Sequence, residues 1–87
     1  MEARQPAIKY PLSTEKSIRL MESENKLIFI VERSATKPQI KKEAEVLFKA
    51  KVTKVTTLIT PDGKKRAYIT FGQDTPAIEI ATNLGLV

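Results

Sequence analysis

The sequence predicts an α+β fold: an antiparallel four-stranded β-sheet with helices packed on it, in the order β-α-β-α-β-β-α. Three observations predict it. One segment has apolar residues at helical spacing, another alternates with period two, and a Pro-Asp-Gly turn joins that strand to a partner. A chain of 87 residues is too short for two separate cores, so residues 1–87 are expected to form one domain.

The first two predicted elements are a short strand and a helix. The strand covers residues 7–10, and Ser13 offers a helix N-cap with Glu15 in the first turn, where an anion is favoured. The helix spans about residues 14–23, and Asn25 can end it. Its apolar residues form only a weak stripe: Ile18, Leu20 and Met21. The helix is therefore expected to pack lightly on a sheet edge.

A buried strand and a second helix follow. Residues 26–32 are β-branched or aromatic and almost continuously apolar, which predicts a central strand contacted on both faces. Thr36 and Gln39 form a capping box, and Pro38 lies in the first turn, where its missing N–H costs little. The spacing i, i+4, i+7, i+8 predicts one buried stripe on this helix: Ile40, Ala44, Leu47 and Phe48.

A β-hairpin is predicted next. Residues 52–59 alternate, with Val55, Thr57 and Ile59 on one side and Lys54, Thr56 and Leu58 on the other. Residues 60–63 (Thr-Pro-Asp-Gly) form the turn, since Pro presets φ and Gly accepts positive φ. The return strand, residues 65–71, directs three side chains at the core and Tyr68 the other way: Ala67, Ile69 and Phe71.

A short last helix is predicted after Gly72. Asp74 or Thr75 is expected to cap it, and it begins near Pro76. Ile80 and Leu84, four apart, are its candidate core residues, and Gly85 ends it.

The charge of the chain is concentrated in its middle. Residues 33–66 contain ten Lys or Arg against three acids, residues 1–32 are neutral, and residues 67–87 carry a net −2. A small fold with one electropositive side is the simplest interpretation, and such a side attracts a polyanion. Phosphate backbones are the commonest polyanions in a cell.

Composition argues against several functional classes. The sequence has no Cys and no His, so disulfides, thiolate metal sites and the usual catalytic bases and nucleophiles are missing. An enzyme would need a carboxylate in a pocket that raises its pKa, and no such arrangement is evident, so no catalytic residue and no cofactor are expected. Without a membrane-length apolar run or a leader, the protein is expected to be soluble and uncleaved, with no membrane insertion. The absence of Cys fits a reducing cytoplasm, so a cytoplasmic location is expected.

The hairpin tip is the most specific local signal for binding. Lys64, Lys65 and Arg66 follow the turn directly and concentrate positive potential at one end of the sheet. Turn lysines also keep hairpins soluble and block edge pairing, and a charged helix face is often only solvated, so that alternative stands beside nucleic-acid binding. Tyr10 and Tyr68 are candidate base-stacking platforms, although Tyr68 also suits sheet packing. With so few aromatics, structured RNA read by its shape is favoured.

Several short motifs occur in an order that resembles one family. They are Tyr10-Pro11-Leu12-Ser13-Thr14-Glu15-Lys16, Asn25-Lys26-Leu27-Ile28-Phe29, Ala35-Thr36-Lys37 before Ala44 and Leu47-Phe48, Val52 to Leu58, and Lys64-Lys65-Arg66-Ala67-Tyr68-Ile69. Together they span nearly the whole chain and resemble the universal ribosomal large-subunit protein twenty-three family. The short turn at Asp62-Gly63 is similar to the archaeal-type, short-loop form.

The resemblance implies a non-enzymatic structural protein of the large ribosomal subunit. It implies binding to large-subunit (23S-type) rRNA at the rim of the polypeptide exit tunnel, beside ribosomal protein twenty-nine, with docking of the signal recognition particle and the translocon. In bacterial relatives the chaperone trigger factor contacts a Glu that corresponds to Glu15, for which a helix-capping role is the alternative. The family motifs contribute five candidate RNA-binding residues: Lys9, Ser13, Thr14, Lys16 and Lys26. The basic segment contributes seven more: Lys37, Lys41, Lys51, Lys54, Lys64, Lys65 and Arg66.

A protein-docking module is the alternative function. The neutral segment 1–32 and the acidic segment 67–87 would supply its surface. RNA binding would then be secondary, and the two roles can coexist on opposite sides of the molecule.

Overall fold

The computed structural model describes residues 7–85 and confirms the predicted α+β fold. The elements are β1 (Ile8–Pro11), α1 (Glu15–Glu24), β2 (Lys26–Val31), α2 (Lys37–Phe48), β3 (Val52–Ile59), β4 (Lys65–Phe71) and α3 (Ala77–Asn83). The four strands form one antiparallel sheet in the order β1-β2-β4-β3. Thus β2 and β4 are central, while β1 and β3 lie at the edges.

All three helices bury residues against the same face of the sheet. Phe29 is at the centre of this core, with its ring 5.3 Å from that of Phe48, which also meets Phe71 edge-on at 6.2 Å. Helix residues in the same buried cluster are Met21, Ile40, Ala44, Ala77, Ile80 and Ala81. Alternation along β4 places Ala67, Ile69 and Phe71 in this core, as predicted. Full burial of each large side chain stabilises the fold by roughly 1.5–3 kcal/mol.

The β2 strand is buried on both faces, as its continuous apolar sequence predicted. Leu27, Phe29 and Val31 join the helix-covered core, whereas Ile28 and Ile30 face the other way and are still only 3% and 5% exposed. Cross-strand neighbours flank them: Tyr68 stands opposite Ile28, and Tyr10 and Arg66 stand opposite Ile30.

The helix α1 begins one residue later than predicted, with Thr14 rather than Ser13 as its N-cap. The Thr14 side chain accepts from the Ser17 N–H at 3.1 Å, and the Ser17 hydroxyl accepts from the Thr14 N–H at 2.7 Å. With Ser13 as the cap, the reciprocal position would be Lys16, which cannot accept a hydrogen bond. Ser17 is buried, and its hydroxyl group has hydrogen-bond partners. Asn25 ends α1 as predicted, with a φ of 56°.

The helix α2 has its predicted capping box, but its predicted apolar stripe is wrong at Leu47. Thr36 and Gln39 cap each other reciprocally, and Ile40 and Ala44 are fully buried. Leu47 is 55% exposed, because Phe48 is the residue that reaches Phe29 and Phe71 at this end of the helix. The chain then reverses at Lys49, whose φ is 51°.

The start of α3 differs from the prediction, because neither Asp74 nor Thr75 caps it. Pro76 is the N-cap residue and has no side-chain cap bond. Instead, Asn25 Oδ1 accepts from the Ala77 N–H at 2.6 Å, and Asn25 Nδ2 lies 3.1 Å from three carbonyl oxygens of the β4–α3 connection. Of the two predicted core residues, Ile80 is buried but Leu84 is 40% exposed, since it follows the last turn of α3 at the edge of the helical layer.

The strand boundaries shift by one residue from the predicted ones. The first strand runs from Ile8 to Pro11. At its start, the Glu43 carboxylate of α2 accepts hydrogen bonds from the N–H groups of Ala7 and Ile8 at 2.9 and 2.8 Å. The second strand ends at Val31 rather than residue 32. The hairpin turn forms as predicted: the Gly63 N–H donates to the Thr60 carbonyl at 2.9 Å, and Gly63 has a φ of 84°. None of the helices described for residues 7–85 is long and apolar enough to span a membrane.

Candidate nucleic-acid interface

The side of the sheet opposite the helix-covered core is here called the open face. Side chains alternate along each strand, so directly paired residues of neighbouring strands share a face. Lys54 pairs with Thr70, Thr56 with Tyr68, and Leu58 with Arg66. The open face consists of Tyr10, Lys26, Ile28, Ile30, Lys54, Thr56, Leu58, Lys64, Arg66, Tyr68 and Thr70.

Three cations of the basic segment share this open face, with Arg66 and Lys64 near the hairpin turn and Lys54 towards the other end of β3. Lys54 and Arg66 reach it by strand alternation, and Lys64 reaches it through Tyr10. The Lys64 ammonium donates to the Tyr10 hydroxyl at 3.3 Å and lies 6.0 Å from the centre of its ring. No carboxylate among residues 7–85 lies within 4.0 Å of these three charged groups. Their charge is therefore available to an external anion.

Apolar and aromatic side chains stand among these cations. Tyr10 is 42% exposed and Leu58 is 43% exposed. Tyr68 is partly exposed and lies beside Leu58 and α1. The two tyrosines were predicted from the sequence as candidate stacking platforms, but Leu58 was not predicted as a binding residue. The only signal for Leu58 was the alternation that placed it beside Lys54 and Thr56. Cations interleaved with flat apolar surfaces suit RNA, whose backbone is anionic and whose unpaired bases stack.

Lys65 faces the opposite way from its two neighbours in sequence. It pairs with Val31 and Ile59 on the helix-covered side, and its ammonium donates to the carbonyl oxygens of Ala35 at 2.7 Å and Arg33 at 3.3 Å. This contact ties the loop before α2 to the hairpin. The three consecutive cations of the hairpin tip thus divide between two sides of the sheet.

The helical cations are also separated from the open face. Lys37 and Lys41 are exposed on α2, which packs on the helix-covered side, and Lys51 lies in the link between α2 and β3. The expectation of one electropositive side is therefore wrong in detail, because strand alternation and the sheet itself split the basic segment into two surfaces.

The remaining chemistry of the described residues is simple. The hydroxyl of Thr60 donates to the Asp62 carboxylate in the hairpin turn, and this bond lowers the pKa of that carboxyl. Because the pKa is depressed in the folded chain, the bond stabilises the turn above the ordinary Asp value of 3.8 and loses its effect as the pH falls through the lowered pKa. Residues 7–85 contain no group of three or more acidic side chains arranged to hold a metal ion.

The family model and the individual relatives that match this chain agree on one family. The family model described as "Ribosomal protein L23" matches residues 6–81. This chain belongs to that family. It is 46% identical over 79 residues to the large ribosomal subunit protein uL23 of Methanococcus aeolicus, an alignment that covers 91% of this chain and 92% of the relative. It is 48% identical, with the same coverage, to proteins of the same name from two strains of Methanococcus maripaludis.

The L23-family motif residues lie near α1 and β1, and two of their lysines are ion-paired. Lys9 lies 3.3 Å from Glu32, and Lys26 lies 2.9 Å from Glu24. Lys16 is exposed on α1 with no carboxylate of residues 7–85 within 4.0 Å. The two hydroxyl residues, Ser13 and Thr14, are exposed at the N-terminus of α1, where Thr14 already serves as the cap.

Glu15, which the resemblance predicted as a factor-docking residue, lies in the first turn of α1 as predicted. It is exposed, and its carboxylate is 3.9 Å from Arg19 one turn later. An acid at this place interacts favourably with the helix dipole. A helix-stabilising role accounts for its position, and its role in docking stays a prediction.

Proposed function

We propose that this chain is a structural component of the large ribosomal subunit that binds large-subunit (23S-type) rRNA through its open face. The observation that carries the proposal is that Lys54, Lys64 and Arg66 share the open face with exposed Tyr10 and Leu58. None of the three cations has a carboxylate of residues 7–85 within 4.0 Å. The names of its relatives, large ribosomal subunit proteins, support the proposal. We propose no enzymatic activity and a cytoplasmic, ribosome-bound location.

The proposed contact surface continues from the open face onto α1. Lys16 of α1 borders the open face beside Lys26, and both would add phosphate contacts. The hydroxyls of Ser13 and Thr14, exposed at the N-terminus of α1, are further candidates. About five cations would then neutralise phosphates, so affinity should fall roughly 100-fold or more when the monovalent salt concentration rises fourfold. Lys9, Lys37, Lys41, Lys51 and Lys65 are candidates for secondary contacts with neighbouring RNA, since none of them lies on the open face.

The test compares two triple variants of equal charge change. One replaces Lys54, Lys64 and Arg66 of the open face with Gln, and the matched control replaces Lys37, Lys41 and Lys42 of α2 with Gln. Binding to transcribed large-subunit rRNA is measured over a range of salt concentrations. The open-face variant should reduce the salt slope by about two to three units, since each phosphate contact contributes a little under one unit. The α2 variant should reduce it much less, and the reverse ranking would contradict the proposal.

A second function, docking of nascent-chain factors, is favoured by an apolar groove on the helical layer. Leu47, Phe48, Ile80 and Leu84 line this groove, and Leu47 and Leu84 are 55% and 40% exposed. We propose that the chain stands at the rim of the polypeptide exit tunnel beside ribosomal protein twenty-nine and offers this side to the signal recognition particle and the translocon.

The docking proposal is tested with a Leu47→Gln, Leu84→Gln double variant incorporated into ribosomes. Both side chains are exposed, so the fold and the rRNA affinity should be unchanged. Purified signal recognition particle should bind these ribosomes at least tenfold more weakly than ribosomes with the unaltered chain. Equal affinity would exclude the groove as its docking site. A Glu15→Gln variant in the same assay examines the α1 surface separately.

A further inference from the structure

A pocket opens where α1 meets the open face of the sheet. Lys16 and Leu20 of α1 form one wall, one helical turn apart, and Thr56, Leu58 and Tyr68 form the floor. It is a shallow depression that is open to solvent, with a volume of about 340 Å³. The open-face cations Arg66 and Lys54 lie beside it, because Arg66 pairs with Leu58, and Lys54 precedes Thr56 by two residues on the same face.

The walls of this pocket have the composition that a flat heteroaromatic ring requires. Tyr68 provides an aromatic surface, and Leu20 and Leu58 provide aliphatic contacts around it. Thr56 adds a hydroxyl that makes no side-chain hydrogen bond within residues 7–85 and can both donate and accept. Unstacked RNA bases are bound in this way, by stacking on aromatic side chains and by hydrogen bonds to the base edge.

The charges at the rim fit the phosphates on either side of such a base. Lys16 stands at one end with no carboxylate of residues 7–85 within 4.0 Å, so it can bind a phosphate directly. Glu24, the one acid among the described residues that line the pocket, is 2.9 Å from Lys26, and this ion pair offsets its repulsion of an anionic backbone. With Lys16 and Lys26 against Glu24, the described lining carries a net positive charge, which favours an anionic backbone.

We infer that this pocket receives one unstacked nucleobase of the bound RNA, with its ring on Tyr68 and its flanking phosphates near Lys16 and Arg66. The inference rests on the proposed RNA-binding role of the open face and adds a specific occupant to it. It also divides the open face by role: the cations contribute affinity that depends on salt, and the pocket contributes affinity that does not.

The test uses a Tyr68→Leu variant with Tyr68→Phe as its matched control. Leucine keeps apolar cover over Ile28 but removes the aromatic ring, whereas phenylalanine keeps the ring and loses only the hydroxyl. Binding of the full chain to transcribed large-subunit rRNA should weaken roughly tenfold or more for Tyr68→Leu and remain near the original value for Tyr68→Phe, since base stacking is lost only in the first. The salt slope should be unchanged in both, because neither variant removes a phosphate contact.

Ultraviolet crosslinking of the unaltered complex, followed by mass spectrometry, gives the second measurement. A nucleotide adduct should appear on the peptide that carries Tyr68 or on the one that carries Leu58. The pocket inference is overturned if no adduct forms there and Tyr68→Leu binds normally. The proposed function still stands in that case, provided that the variant with Gln at Lys54, Lys64 and Arg66 binds weakly. If both variants bind normally, the proposed function fails as well. Thermal unfolding of each variant confirms that the fold is retained.

Discussion

The helix-covered face and the open face come from the same strands but have opposite characters. Phe29 and Ile69, on the helix-covered face, are 1% and 0% exposed, whereas Tyr10 and Leu58, on the open face, are 42% and 43% exposed. The first face is apolar and closed by three helices, and the second combines cations with exposed rings and aliphatic groups. The comparison teaches that period-two alternation separates folding residues from binding residues along β4, whereas in β2 it does not, because Ile28 and Ile30 of the open face are also buried.

Phe29→Ala should produce the largest difference between the two faces. It removes a fully buried ring stacked on Phe48, so the free energy of unfolding should fall by about 3–5 kcal/mol, as for other large-to-small core changes. Leu58→Ala on the open face should cost less than about 1 kcal/mol, because its side chain is partly in solvent already. Urea denaturation of both variants measures this contrast, and similar losses would mean that the open face is also a folding surface.

Asn25→Ala should have the next largest effect. It removes the cap on Ala77 and the amide that bonds the β4–α3 connection, and it leaves a non-Gly residue at positive φ, so a loss of about 2 kcal/mol is expected. Asn25→Gly relieves only the backbone conformation. The glycine variant should therefore recover a minor part of the stability. Full recovery would show that the side-chain bonds of Asn25 add nothing.

Lys65→Ala and Lys64→Ala compare neighbouring cations on the two faces. Lys65 donates to two loop carbonyls on the helix-covered side, so its loss should cost about 1 kcal/mol and leave the RNA salt slope almost unchanged. Lys64→Ala should change stability by less than about 0.5 kcal/mol but lower the salt slope by nearly one unit. Denaturation and salt titration of the two variants test this difference in roles. A larger change in the RNA salt slope for Lys65→Ala than for Lys64→Ala would contradict it.

Lys49→Gly should produce the smallest effect, and it should be favourable. Lys49 ends α2 with a φ of 51°, a conformation that glycine adopts without the penalty of a Cβ atom. A gain of roughly 0.5 kcal/mol is expected, measured as a higher midpoint of thermal unfolding. A loss of stability would indicate that the Lys49 side chain makes a contact that outweighs its backbone strain.

The sequence predicted the parts of the fold that depend on local or periodic signals. The order of elements, the Thr36–Gln39 capping box, the Pro-Asp-Gly turn and the end of α1 at Asn25 all follow from neighbouring residues, and the structure confirms them. The buried stripe of β4 followed from alternation alone.

The errors arose where distant residues decide the outcome. Asn25 caps α3 from 52 positions away, so local rules placed that cap on Asp74 or Thr75 instead. Helical spacing predicted that Leu47 would be buried, but spacing cannot show where the partner layer ends.

The candidate site shows the same limit. A charge count over a segment does not record which face each residue takes, so Lys65 and the α2 cations were grouped with Lys64 and Arg66. Applying strand alternation to the charged residues, as well as to the apolar ones, would have separated Lys65 from its neighbours.

Lysine reactivity tests the central claim, that the open face binds RNA, most directly. The full chain is acetylated with a lysine-specific reagent, free and bound to large-subunit rRNA, and each lysine is quantified by mass spectrometry. Lys54 and Lys64 should become strongly protected on binding, while Lys37 and Lys41 of α2, which are candidates only for secondary contacts, should be protected much less. Protection of Lys37 and Lys41 with undiminished reaction at Lys54 and Lys64 would contradict the claim.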